Sequence, residues 1–221
     1  TGVQTCALPI SELENSSHYD STFKVFQSFE HKKKIFHIGI GGSSLGPEML
    51  INALKKDSDI DFTFVNNIDP DEINDQMKKI NHIDESLFYI VSKSGGTSET
   101  IAAAMIIFDL LEKKFNVPQD QFKNYVILCT DPQNGDLRKL SNLLDLHSLE
   151  VPPSIGGRFS VLSPVGILPG LFAGLNMKEM LKGAQAFGKS QLSSAEGVIQ
   201  TALQDRKSTR LNSSHQIISY A

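Results

Sequence analysis

Three short segments carry the residue types that anion chemistry needs. The first is Gly39-Ile40-Gly41-Gly42-Ser43-Ser44-Leu45-Gly46, where a β-branched run enters a glycine-rich turn and a helical pattern follows. Such a turn presents backbone N–H groups and a helix N-terminus, and both favour negative charge. It is not a dinucleotide fingerprint, because Ser44 stands where the third glycine is required. Nor is it a nucleotide P-loop, because Pro47-Glu48 replaces the lysine and the hydroxyl residue. The second segment is Ser92-Lys93-Ser94-Gly95-Gly96-Thr97-Ser98-Glu99, again at a strand-to-helix junction. A helix N-cap needs one hydroxyl; here Ser92, Ser94, Thr97 and Ser98 supply four within seven residues. Hydroxyls and free N–H groups at that density suit a phosphate bound without a metal, and Gly95 and Gly96 let the backbone come close. The third segment is Gly156-Gly157-Arg158-Phe159-Ser160. A permanently charged arginine can stabilise a developing oxyanion, although an isolated one is equally compatible with a plain surface loop.

Other chemistry finds less support. The six histidines lack metal-ligand spacing, the nearest pair being His31 and His37. Cys129 ends an apolar run and reads as core, not nucleophile. Lys32-Lys33-Lys34 reads as a solvated approach to the first strand.

The elements that must position these segments alternate in type. Apolar runs at residues 35–40, 62–68, 87–91 and 125–129 are short and mostly unbroken, the pattern of strands buried on both faces. Helical patterns lie between them at residues 45–56, 70–80, 98–115 and 136–144. The first should bury Met49, Leu50, Ala53 and Leu54. Asp69-Pro70 offers an N-cap followed by proline at the first helical position. Residues 98–115 begin acidic at Glu99 and end basic at Lys113 and Lys114, as the helix dipole prefers. This alternation predicts an α/β fold: a parallel sheet with helices on both faces. Beyond Val151 the texture changes. Residues 161–175 read as a buried helix kinked at Pro169, and residues 177–187 and 195–203 as two further helices. Two such loops at the carboxyl ends of parallel strands suit a ligand crevice.

Composition narrows the classes. Of 221 residues, 40% are hydrophobic and 21% charged, which is ordinary for a globular chain. Lys plus Arg total 21 against 25 Asp plus Glu, a net charge of −4, which argues against a nucleic-acid or anionic-membrane surface. No apolar run is long enough for a membrane-spanning helix. Two cysteines, Cys6 and Cys129, form no disulfide framework, and this fits a reducing, cytoplasmic setting. The N-terminus has no signal-peptide pattern and no initiator Met, so the chain reads as starting mid-gene or after processing. Residues 1–10 and 206–221 resemble translated sequencing-adaptor sequence and are read as non-native. Neither tail holds an acidic residue, so trimming them makes the remainder more acidic.

Taken together, the three segments resemble the glucose-6-phosphate isomerase family. Their order and spacing match a GIGGS-x-LG loop, an SKS-x-x-T-x-E loop and a GGRFSVLSPVGILP segment close to that family's signature. Asn66-Asn67-Ile68-Asp69 resembles the family's segment after the second strand, and the similarity runs from about Tyr19 to Phe187. The resemblance implies the sugar isomerase (SIS) fold, with residues 11–150 as the first SIS domain and residues 151–205 as a truncated helical continuation. It implies reversible conversion of D-glucose 6-phosphate to D-fructose 6-phosphate through a cis-enediolate, as in glycolysis and gluconeogenesis. Gly42 and Ser43 would contact substrate. Ser92, Ser94 and Thr97 would cradle the phosphate, with Lys93 beside them. Arg158 would stabilise the enediolate. Glu99 would support the family's ring-opening histidine and would not be the base. No metal or organic cofactor is implied. The partner is a small sugar phosphate, and the full-length protein would be a homodimer.

Two departures qualify the resemblance. Gly96 stands where the family commonly has the first of two threonines, so one hydroxyl is lost and backbone N–H groups must compensate. The family's base glutamate, ring-opening histidine and C-terminal lysine lie downstream of the matched region. The polypeptide is therefore expected to bind sugar phosphate weakly at best and not to turn it over. Other readings of the same loops are a non-catalytic SIS sugar-phosphate regulator, a bifunctional phosphoglucose/phosphomannose isomerase, or an isomerase fused to transaldolase.

Overall fold

The computed structural model describes residues 17–55 and 59–194. The two adaptor-like tails and the helix expected at residues 195–203 lie outside them. Five strands form one parallel sheet: β1 Lys34–Ile38, β2 Asp61–Val65, β3 Ser86–Ser92, β4 Val126–Thr130 and β5 His147–Glu150. Their spatial order is β2-β1-β3-β4-β5. The intervening helices are α1 Ser17–Phe29, α2 Leu45–Leu54, α3 Pro70–Lys78, α4 Ser98–Asp109, α5 Asp136–Leu143, α6 Pro164–Phe172 and α7 Met177–Ser194. The α/β class and the four expected strands are present.

The sheet has two cores because strand side chains alternate between faces. Phe36, Phe88, Ile90 and Leu128 point to one face, where α3, α4 and α5 supply Ile73, Ile107 and Leu137. Ile35, Leu87, Tyr89 and Ile127 point to the other, where α1 and α6 supply Phe29, Val165 and Leu168. Every residue of β3 and β4 is buried, as their unbroken apolar runs predict. Cys129 is on the second face, and burial pushes its thiol up to about 12. It stays protonated there, a core residue.

Several local expectations are corrected. The stripe of α2 that faces inward is Pro47, Leu50 and Ile51, while Met49 and Leu54 are exposed. The helix lies against α6. The helix expected at residues 161–175 is instead a 3₁₀ turn, Gly157–Leu162, followed by α6. Pro164 is the cause. It holds Ser163 extended, at φ −100° and ψ −179°, so the helix can begin only after it. The Ser163 hydroxyl then caps α6 by accepting from Val165 N at 3.4 Å. The α3 cap is as expected, with Asp69 Oδ1 accepting from Asp71 N and Glu72 N, both at 3.0 Å. Helix α4 ends in a wider turn, Leu110–Lys114. Helix α1 and strand β5 were not anticipated from the sequence.

The chain divides into two compact units, Thr1–Lys178 and Glu179–Ala221. The sheet belongs to the first. The described part of the second is the remainder of α7, where Lys182 pairs with Glu179 at 2.7 Å. Among the described residues, no helix is long and apolar enough to cross a membrane.

Candidate active site

Strand order decides where a ligand can sit. β1 pairs with both β2 and β3, and the chain leaves β1 toward one sheet edge and β3 toward the other. The helices that follow them, α2 and α4, lie on opposite faces, so a crevice opens beyond the carboxyl ends of β1 and β3. Both glycine-containing loops emerge there.

The first loop folds into a 3₁₀ turn, Gly41–Ser43, with Ser44 N donating to Gly41 O at 3.0 Å. Gly41 needs its glycine, with φ at +56°. The second loop turns at Gly95, φ +66°, with Gly95 N donating to Ser92 O at 3.1 Å. Thr97 occupies the N-cap position of α4, yet its side chain makes no capping bond. Its hydroxyl instead shares a 2.9 Å hydrogen bond with Ser92 Oγ. The first N–H groups of α4 are thus left uncapped by Thr97, which suits an incoming anion.

The third segment is pressed onto the first. A Cβ on Gly42 would come within 2.5 Å of the Gly157 carbonyl and 2.8 Å of Arg158 N, so the two backbones touch where no side chain fits. Ser160 Oγ bridges them, donating to Gly157 O at 2.7 Å and reaching Gly42 O at 3.4 Å. Together the loops line an open crevice of about 500 Å³, whose walls include Gly42, Ser43, Lys93, Ser94, Thr97 and Asp131.

Five of the eight residues singled out in the sequence therefore line one cavity. The other three are placed differently. Ser92 is buried at the end of β3 and holds Thr97 from below. Glu99 is half-buried in the first turn of α4. Arg158 is exposed, next to the lining residue Gly157, and has no ion pair among the described residues.

Sequence reasoning missed Asp131. It follows β4 in a third loop at the same end of the sheet, and its Oδ1 accepts from Gln133 N at 2.9 Å and Asn134 N at 2.8 Å. Those two N–H groups hold its carboxyl below the usual range, with Asn134 and Arg138 adding to the effect. Asp131 is thus a fixed negative charge in a cavity that also holds the Lys93 cation. The available signal was the turn chemistry of Asp131-Pro132 and Asn134-Gly135 directly after an apolar strand. Among the described residues, no group of three or more His, Cys, Asp or Glu is placed to hold a metal ion.

The phosphoglucose isomerase family model matches residues 16–203, which include every element of this site. The chain belongs to that family. A glucose-6-phosphate isomerase of Carboxydothermus hydrogenoformans is 35% identical over 173 residues, covering 73% of this chain and 36% of that protein. One from Thermus thermophilus is 34% identical over 161 residues, covering 72% of this chain and 37% of that protein. The chain thus spans a little over a third of the length of these curated relatives. Among solved structures, a hypothetical protein of Thermus thermophilus superposes with a TM-score of 0.77 at 30% identity, over 83% of this chain and 43% of that one. A glucose-6-phosphate isomerase of Chlamydia trachomatis gives 0.68 at 28% identity, over 87% and 36%. The phosphoglucose isomerase family membership and the SIS-type sheet agree with the sequence resemblance.

Proposed function

We propose that this chain carries the phosphate-binding part of an isomerase that interconverts D-glucose 6-phosphate and D-fructose 6-phosphate. One observation supports this reading most: the three motifs, far apart in sequence, surround a single cavity at the switch point of the sheet. In this reading residues 11–150 form the first SIS domain and residues 151–205 continue it.

The phosphate sits against the Ser94 and Thr97 hydroxyls and the α4 N-terminus, with Lys93 supplying charge. Ser92 contributes through its bond to Thr97. The sugar lies toward Gly42 and Ser43. Negative charge grows on the substrate oxygens as a proton moves between C2 and C1, and the Arg158 cation meets it there. Such a charge helps most where charge develops. Glu99 supports the ring-opening histidine that the family carries farther along the sequence, as it does the base. The complete protein is a homodimer of the cytoplasm acting in glycolysis and gluconeogenesis, without a metal or organic cofactor.

The test is isothermal titration of fructose 6-phosphate into the chain and into a Ser94→Ala/Thr97→Ala double variant. Loss of the binding heat in the variant is expected. Equal affinity in both would reject the cradle.

A further inference from the structure

His37 belongs to none of the three motifs. It sits next to the carboxyl end of β1, an interior strand of the sheet, facing Phe64 of β2 and Tyr89 of β3 in register. It is fully buried, at 0% exposure. Its ring packs edge-on to Tyr89 and tilted against Phe64, with centroids 5.3 Å apart in each case. Neighbouring positions on the same strand are Phe36 and Ile38. An imidazole there loses its hydration and should be disfavoured against an apolar residue unless a contact compensates.

The compensating contact is specific. Nε2 lies 2.7 Å from the carbonyl oxygen of Ser43. A carbonyl can only accept, so Nε2 carries the hydrogen and donates it. Nδ1 has no hydrogen-bond partner among the described residues. The one polar bond of this buried ring is therefore made to the main chain of a cavity-lining residue. Burial keeps the ring neutral, its pKa lowered to about 4, so the donor persists at ordinary pH.

We propose that His37 is a positioning residue, whose Nε2–H pins the Ser43 carbonyl and thereby holds the Gly41–Ser43 turn against the sugar side of the cavity. The role assigned to that side rests on the isomerase reading above. The Ser94–Thr97 side is anchored separately, through Gly95 and Ser92. The two sides should therefore respond differently when the His37 bond is removed.

The experiment uses the full chain and three variants. His37→Leu and His37→Phe remove the donor and keep an apolar filling. His37→Gln keeps a donor nitrogen at similar reach. Removing one net hydrogen bond should weaken fructose 6-phosphate binding about tenfold in His37→Leu, while inorganic phosphate binding is unchanged and His37→Gln restores most of the loss. Amide hydrogen exchange at Gly42, Ser43 and Ser44 should quicken by a similar factor in the unliganded variant. Unchanged exchange at those amides would overturn the proposal, as would equal loss of both ligands. If the unaltered chain binds no fructose 6-phosphate, the isomerase reading falls, and the exchange measurement still decides the role of His37. If His37→Leu does not fold, His37→Phe is read by the same criteria.

Discussion

Gly135 stands directly against Gly95. A Cβ on Gly135 would come within 2.7 Å of Gly95 Cα and closer still to the carbonyl oxygen of Ser94. Both residues have positive φ, +93° and +66°. Leu137 N donates to Gly95 O at 2.9 Å and locks the pair. The loop after β4 is thus the backing of the loop after β3. Gly135→Ala should displace residues 94–95 and destabilise the fold by about 1–3 kcal/mol. Urea unfolding reads the stability change, and titration with inorganic phosphate reads the accompanying loss of affinity. Wild-type values in both would show that the two loops are independent.

Asp131 opposes any anion in the cavity. Asp131→Asn keeps the Oδ1 that accepts from Gln133 and Asn134 but removes the charge. Phosphate affinity should rise about two- to tenfold at low salt, and the gain should shrink as salt screens it. A fall in affinity would mean that the carboxylate contacts the ligand favourably.

Arg158 is exposed and unpaired among the described residues, so its removal should cost little stability, within about 0.5 kcal/mol. On the proposed isomerase reading, Arg158→Ala in the full-length protein should lower kcat by about a hundredfold or more, with a smaller effect on binding of a ground-state sugar phosphate. Equal losses in kcat and binding would assign the guanidinium to substrate binding instead.

The pH dependence of stability has a definite sign. Burial lowers the His37 pKa to about 4, only partly offset by its bond to Ser43. The unfolded value is near 6.5, so between these limits the unfolded chain binds more protons than the folded one. Stability contributed by the neutral ring is complete above about pH 6.5 and is lost as pH falls toward 4, about 3 kcal/mol in all. Urea unfolding at a series of pH values measures this slope. In His37→Gln the slope should flatten over that interval, and an unaltered slope would assign the loss to other groups.

These features differ in how legible they were in the sequence. Strands β1, β3 and β4 announce themselves because each is buried on both faces and is therefore mostly apolar. Strand β5 does not. Only Leu149 of its four residues is buried, and the strand exists because it pairs with β4. The inward stripe of α2 is set by contact with α6, so Met49 is exposed although its own helix cannot say so. The glycine loops were readable from their residue types. The Asp131 loop was not singled out, because its role comes from lying beside Gly95 and not from any unusual composition. Arg158 was readable as a cation, but its place beside the first loop depends on the tight Gly42–Gly157 contact, which no local pattern encodes.

That contact also joins segments much farther apart in sequence than those of the Ser94 turn. The turn at Ser94 and Gly95 needs partners no farther along than Leu137. The turn at Gly42 is closed by Ser160, 118 residues away. Closing so long a loop costs more entropy and more search than closing a short one. As the polypeptide leaves the ribosome, the Ser94 side can form while the Gly42 side still lacks its cover. The half of the pocket carrying Gly42 is therefore expected to close last.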